Sequence, residues 1–353
     1  MRAMRRIIRN SIAFALIIFL LSCNQKIRPD QLILDRIEYI YKLKPQIDKD
    51  IWPEFSDHKF DVPLIYYTDS SCYVTNPTDN FIRQYNPELV YKNQSLEIYR
   101  TGLPDSIPFH MATGISLGDS SSDYNYKAPY MNCSSPELTA KYVPGVHSTE
   151  MWATMLIHEY FHGFQYKHPE FLDFYTQNVN VPADSLSRLY KANAWFRKSI
   201  DEENDLLLKA LDSGSQTEIR QLLIEYFRKK DQRYKLAKDL LNTDISTIEK
   251  VYETMEGTAR YVEYSLYLKF GSLPDDVNLA ESDTLYHSYH YFKDYLITKD
   301  PWLYQTGATP YFYSTGFNIA RLLDKLEVDY KAGFFSGKQS LDEILRKQLN
   351  TNH

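Results

Sequence analysis

Between positions 151 and 166 the sequence reads MWATMLIHEYFHGFQY, apolar on every side, with Glu159 as its only charge and no proline. A run of this length predicts a buried helix, started by Ser148 or Thr149 with Glu150 behind it and ended at His168-Pro169. Elsewhere the texture changes. Positions 31–44 carry apolar residues at helical spacing and predict an amphipathic helix stopped or kinked by Pro45. Short β-rich runs at 62–68, 96–100 and 111–117, broken by Pro, Asp, Asn and Gly, predict a small sheet ahead of the buried helix. Positions 118–146 are rich in Ser, Asp, Asn, Tyr and Pro and read as irregular. After Pro182 helical periodicity dominates, with helices expected at 183–212, 216–241, 246–270, 283–297, 310–327 and 340–349. Strands first and helices after them predict an α+β fold.

The first residues belong to processing rather than to the fold. Arg2, Arg5, Arg6 and Arg9 precede an apolar stretch at 11–21, which is well short of the roughly 20 residues that a spanning helix needs. Leu20-Leu21-Ser22-Cys23 then resembles the lipobox of a bacterial lipoprotein. That resemblance implies removal of residues 1–22, acylation of Cys23, a short polar tether over 23–30, and a water-soluble body anchored in the bacterial cell envelope. Asn24, rather than Asp, follows Cys23 and points to the outer membrane. Loss of four arginines and no acids changes the formal charge from -6 to -10, because -6 - 4 = -10. So acidic a body excludes nucleic acid as a partner. The remaining residues suffice for an α+β lobe over 31–182 and a helical lobe over 183–353, closely joined. Cys72 and Cys133 are compatible either with one disulfide or with two separate buried thiols.

The chemistry is concentrated in His158-Glu159-Tyr160-Phe161-His162, an H-E-x-x-H run inside the apolar helix. Residues four apart on a helix are offset by about 40°, so the two imidazoles lean over one face and can grip a single ion. Zn²⁺ is the natural guest of such a pair. Glu159 projects about 100° to the side of His158, where it suits a general base that takes a proton from water. Two histidines leave one more protein ligand to find. From Tyr252 the chain reads YETMEGTARYVEY, inside a helix that a Ser246/Glu249 capping box can start and Gly271 can stop. Glu256 lies in its middle beside Gly257 and Ala259, whose small side chains allow another backbone to pack close.

Glu256-Gly257-x-Ala259-x-Tyr261-x-Glu263 resembles the Glu-Gly-x-Ala-x-Tyr-x-Glu segment of gluzincin metallopeptidases of the aminopeptidase N kind. The resemblance implies a zincin-like site with His158, His162 and Glu256 as zinc ligands and Glu159 as general base. Met255 and Thr258 stand where that family has Asn and an aromatic residue, and residues 163–255 make a longer connection than those enzymes use. His168 is the rival third ligand, placed as in metzincins but with Gln165 where their turn needs Gly. The resembled enzymes also carry an oxyanion donor on a later helix. Tyr313 is the expected counterpart here, with Tyr311 in reserve.

His287 and His290 form a second H-x-x-H on an expected aromatic helix, open to a satellite metal site or to ordinary packing. The charged helical insert at 184–241 is expected to be a solvent-facing scaffold or one wall of a cleft. The strand at 110–116 lacks the acid with which aminopeptidases of the resembled family hold a substrate's amino terminus. An endopeptidase acting on peptide or protein substrates is therefore the expectation, with an extended substrate adding to the strand edge. A catalytically silent zincin-fold surface lipoprotein and a metal-dependent hydrolase of another substrate are the alternatives.

Overall fold

Four consecutive buried residues, Leu64–Tyr67, form the central strand of the molecule, and they are divided two by two between its faces. Leu64 and Tyr66 point into the main core, whereas Ile65 and Tyr67 join Cys72, Val74 and Phe81 in a smaller cluster on the other side. This is the period of two that a pleated strand imposes. The computed structural model describes residues 30–102, 107–114, 129–179, 181–287 and 291–350. The processing segment, Cys23 and nearly all of the tether lie outside the described residues.

Helix α1 (Gln31–Asp50) leads to β1 (Leu64–Tyr67), β2 (Cys72–Thr75), α2 (Asp79–Tyr85), β3 (Glu88–Lys92), β4 (Glu97–Thr101), β5 (Met111–Gly114) and β6 (Tyr130–Ser134). The strands make one six-stranded sheet in the order β3-β4-β2-β1-β6-β5. Only the β1/β6 pair is parallel, and β5 is an edge strand antiparallel to β6. Then come α3 (Pro136–Tyr142), α4 (Thr149–Tyr166), α5 (Pro169–Asn178), α6 (Ala183–Ala192), α7 (Ala194–Asp212), α8 (Gln216–Leu241), α9 (Ser246–Phe270), α10 (Val277–Ser282), α11 (Pro301–Tyr304), α12 (Tyr311–Lys325) and α13 (Leu341–Asn350). The α+β class expected from the pattern is what the chain adopts.

Several boundaries differ from expectation. Pro45 does not end α1, because Leu43 and Ile47 on either side are buried in the core and hold the helix through the missing hydrogen bond. Strands β2, β3 and β6 are each only four or five residues long and carry no clear alternation in the sequence. β6 and α3 occupy part of the stretch expected to be irregular. The expected helix at 183–212 is two helices meeting at Asn193. No helix spans 283–297 among the described residues. There Asp283 accepts from Arg36, Thr149 and the Leu285 backbone, which pins the chain in a bend. His287 is thus not on a helix, and His290 lies outside the described residues. Ser246 does not cap α9 either: its hydroxyl turns to Asp244 Oδ1 at 2.6 Å, and Glu249 is buried elsewhere.

Cys72 lies opposite Tyr67 and Cys133 opposite Tyr66 in the ladders flanking β1. Adjacent residues of a strand face opposite ways, so the two thiols are on opposite faces of the sheet, both buried and with no disulfide between them.

Helix α4 lies against this sheet. Trp152 Nε1 donates to Ser134 O of β6 at 2.9 Å, and the Tyr160 hydroxyl donates to Val62 O at 2.9 Å. Its other side meets α9, which in turn crosses α12 at an unusually close approach. A Cβ on Gly257 would stand 2.5 Å from Gly316 Cα, and one on Gly316 would stand 2.8 Å from the Glu253 carbonyl carbon. Gly257 is thus the close-packing position that the sequence suggested. Gly316→Ala forces backbones apart and should cost about 3 kcal/mol of stability, read as a lower urea midpoint with unchanged slope.

Candidate metal centre

Each functional side chain is placed by a helix with a defined reason to be where it is. Ser148 caps α4, accepting from Met151 N at 3.1 Å, and this sets the rotation that turns His158 and His162 to the same side. The two rings stand 4.9 Å apart, nearly perpendicular. From α9, Glu256 Oε2 approaches His162 Nε2 to 3.2 Å and His158 Nε2 to 3.4 Å. All three residues are buried.

The opposite nitrogens show which way the lone pairs point. Gln165 uses its amide nitrogen on Met255 O at 2.9 Å and on Thr258 Oγ1 at 2.8 Å, which leaves its oxygen to accept from His162 Nδ1 at 2.9 Å. A proton on Nδ1 leaves Nε2 bare. His158 Nδ1 faces Glu263 Oε2 at 3.3 Å, a charged approach without hydrogen-bond alignment. Nε2 of both imidazoles and a carboxylate oxygen of Glu256 therefore converge on one point, where either a shared proton or a cation can hold them together. Tetrahedral zinc with nitrogen and oxygen bonds near 2.0–2.1 Å separates its ligand atoms by about 3.3 Å, which matches the observed approaches. The donor set thus fits zinc.

Electrostatics reflect how tightly these charges are packed. Burial opposes charge on His158, yet the carboxylates of Glu256 and Glu263 overcome it and push the imidazole up to about 10. Burial would raise Glu256, but the charge of His162 and the hydrogen bonds to both rings hold it well below the usual carboxylate range. His162 is likewise raised, against its burial, by Glu256.

Glu159 also has a ligating atom within 4.8 Å of its histidine neighbours. The closer approach belongs to Glu256, and Glu159 has its own anchor on the edge strand. Thr113 N of β5 donates to Glu159 Oε2 at 3.2 Å, and the Thr113 hydroxyl donates to the Glu159 carbonyl. Burial raises the Glu159 carboxyl above its ordinary value, with the charges of His162 and His158 acting the other way. Such a group is suited to accept and return a proton.

Tyr313, in the first turn of α12, lies nearly parallel to the His158 ring with centroids 6.0 Å apart. Burial, and then the Glu256 and Glu159 carboxylates, keep its phenol protonated far beyond the usual range. Tyr311 points away: its hydroxyl donates to Glu249 Oε2 at 2.6 Å and its ring stacks on Tyr190. His168 is also turned from the centre, stacked on Phe60 at 4.1 Å, with Nδ1 against Phe164 O at 2.9 Å. The structure brings together His158, Glu159, His162, Glu256 and Tyr313, and leaves Tyr311 and His168 outside.

Beside the centre a cavity of about 580 Å³ opens, lined by His158, Glu159 and Tyr313 and by apolar residues including Val146, Met155 and Trp302. Arg260 and Glu263 line it too. Sequence reasoning missed Gln165, Glu263, Arg260 and Thr113. A signal for two of them was present: Glu249, Glu253, Glu256, Arg260 and Glu263 follow one another at spacings of four, three, four and three along the helix, one stripe of charge on one face.

The chain matches no family model, no curated protein and no solved structure. Its likeness to gluzincins therefore rests on the residues quoted.

Glu150, in the first turn of α4, accepts from the His287 backbone N–H at 2.8 Å, while its second oxygen is buried without a partner. Burial, aided by the charge of Asp283, pushes its carboxyl from 4.5 up to about 7 against local hydrogen bonds. The folded state then holds a proton that the unfolded chain has released, so stability falls as pH rises from about 4.5 through 7. Glu150→Gln should raise stability above pH 7 by up to about 3 kcal/mol and leave it nearly unchanged below pH 4.5, measured by urea melts across pH.

Proposed function

We propose that this chain is a zinc-dependent metallopeptidase with a gluzincin-like site, held in the bacterial cell envelope by a lipid on Cys23. The observation that carries the reading is the convergence of three potential ligand atoms, Nε2 of His158, Nε2 of His162 and Oε2 of Glu256, at a single buried point beside a cavity. Zinc bound there would polarise a peptide carbonyl and acidify water. Glu159 takes a proton from the attacking water and hands it to the leaving amine. Tyr313, kept protonated, donates a hydrogen bond to the oxygen on which charge builds.

The placement of β5 supports a peptide substrate. It is an edge strand of the sheet among the described residues, and Thr113 N on it reaches the general base. An extended peptide pairing with that edge would run past Glu159 and present its backbone to the centre, as an endopeptidase requires. No helix of the described residues is long and apolar enough to cross a membrane.

The mature chain should cleave casein, and a chelator should stop it. Glu159→Gln should lower kcat by about 10²–10⁴-fold while zinc, measured by elemental analysis, stays at one per chain. Glu256→Ala should lose zinc as well as activity; full zinc in that variant would sink the ligand assignment. Tyr313→Phe should reduce kcat by about 10²-fold with zinc retained, and an unaltered kcat would remove Tyr313 from the reaction.

A further inference from the structure

Burying a guanidinium normally requires a counter-charge, because lost hydration must be replaced by something of opposite sign. The other buried basic side chains among the described residues obey this rule. Arg36 meets Asp283, Lys44 meets Asp61, Lys230 meets Glu253 and Asp342, and Arg233 meets Glu203 and Glu249. Arg260 is equally buried, at 3% exposure, and no carboxylate of the described residues lies within ion-pair distance of it. Burial draws its pKa down, although Glu263, Tyr313 and Glu256 are near enough to oppose that.

Its position is nevertheless fixed. Nη1 donates to Trp302 O at 3.0 Å, to Leu303 O at 3.4 Å and to Thr309 Oγ1 at 3.0 Å. The guanidinium carbon lies 4.6 Å from the centre of the Tyr313 ring and 5.2 Å from that of Trp302. Held at one end and between two rings, the guanidinium leaves its other edge unused: Nε is buried without a partner, and all hydrogen bonds within the described residues come from Nη1. The Nε/Nη2 edge is one of the two faces through which arginine grips a carboxylate with paired hydrogen bonds. Arg260 lines the same cavity as His158 and Glu159.

The cavity's other charges are acidic or weakly basic. Glu263 faces His158, Asp300 accepts from Trp302 Nε1 at 3.3 Å, and His147 is tied to Gly145 O at 3.1 Å. An anion entering would be repelled by Glu159, Glu263 and Asp300, and away from the metal centre Arg260 is the one lysine or arginine among the described residues lining the cavity to attract it. Around that place the wall is apolar, formed by residues such as Met155, Val146 and Tyr267.

We propose that Arg260 binds a carboxylate of the substrate through its Nε/Nη2 edge, and so selects peptides carrying a negative charge close to the cleaved bond. The carboxylate is supplied by an acidic side chain or by a free carboxyl terminus. This inference rests on the peptidase reading for its substrate, but binding tests it without turnover. Zinc-loaded Glu159→Gln, as the full mature chain, is titrated by calorimetry with two sets of matched peptides. One set ends in a free acid or an amide; the other has interior Asp or Glu replaced by Asn or Gln and an amidated end.

At least one set should show about ten- to hundredfold tighter binding of the carboxylate member, and the set that does so identifies the source. Adding Arg260→Gln should bring the members of that set to within about twofold of each other. Should that variant not fold, Arg260→Lys keeps a charge between the two rings while removing the paired edge, and it should lose most of the preference. Equal binding of acid and amide in both sets, or no binding at all, overturns the inference. So does a preference that survives both substitutions. If the preference is found and depends on Arg260 while the unmutated chain cleaves nothing, the carboxylate site stands and the peptidase reading falls.

Discussion

The crossing of α4 and α9 governs the rest of this molecule, and Gln165 is the side chain that fixes it. Its amide nitrogen holds Met255 O and Thr258 Oγ1 on α9, while its oxygen turns back along α4 to the ring of His162. One amide therefore sets the spacing of two helices and the direction of a ligand's lone pair. A small rotation of either helix would separate donor atoms that must agree within a few tenths of an ångström for a metal to satisfy them all.

The charged stripe along α9 shows how one helix face serves two ends. In its first half, Glu249 and Glu253 are closed by Arg233 and Lys230, with Tyr311 and Thr315 of α12 completing their hydrogen bonds at 2.6 and 2.8 Å. In its second half, Glu256 and Arg260 receive no such partner of opposite charge from a lysine, arginine or carboxylate among the described residues. Lys230 and Arg233 come from α8, so the charged insert does more than form a solvent-facing scaffold. It anchors the helix that carries the centre. Buried ion pairs of this kind add little net stability, but removing one partner strands a charge, which makes the arrangement intolerant of a shifted register.

What the sequence made legible was decided by local physics. H-E-x-x-H on an apolar helix needs only the helical repeat to bring its rings together, and Glu256 could be picked out through the Glu-Gly-x-Ala pattern around it. Helices α8, α9 and α13 lay within a residue or two of their periodic signals. Short strands such as β6 were invisible because four or five residues carry too little alternation, and their pairing depends on neighbours far along the chain. Tyr313 was preferred to Tyr311, two residues away, only through the resemblance; the crossing of α12 with α9 gives the physical distinction, since one joins Glu249 and the other His158. Arg260 was hidden for a different reason. A missing partner cannot be seen in a list of residues; it becomes visible only when every neighbour is in place.

The two internal thiols carry a consequence for where this protein can work. Cys72 and Cys133 are backed by opposite sides of one sheet, and a covalent link between them would have to pass through β1. Among the described residues the architecture thus does not depend on a disulfide between Cys72 and Cys133, whichever redox poise surrounds it.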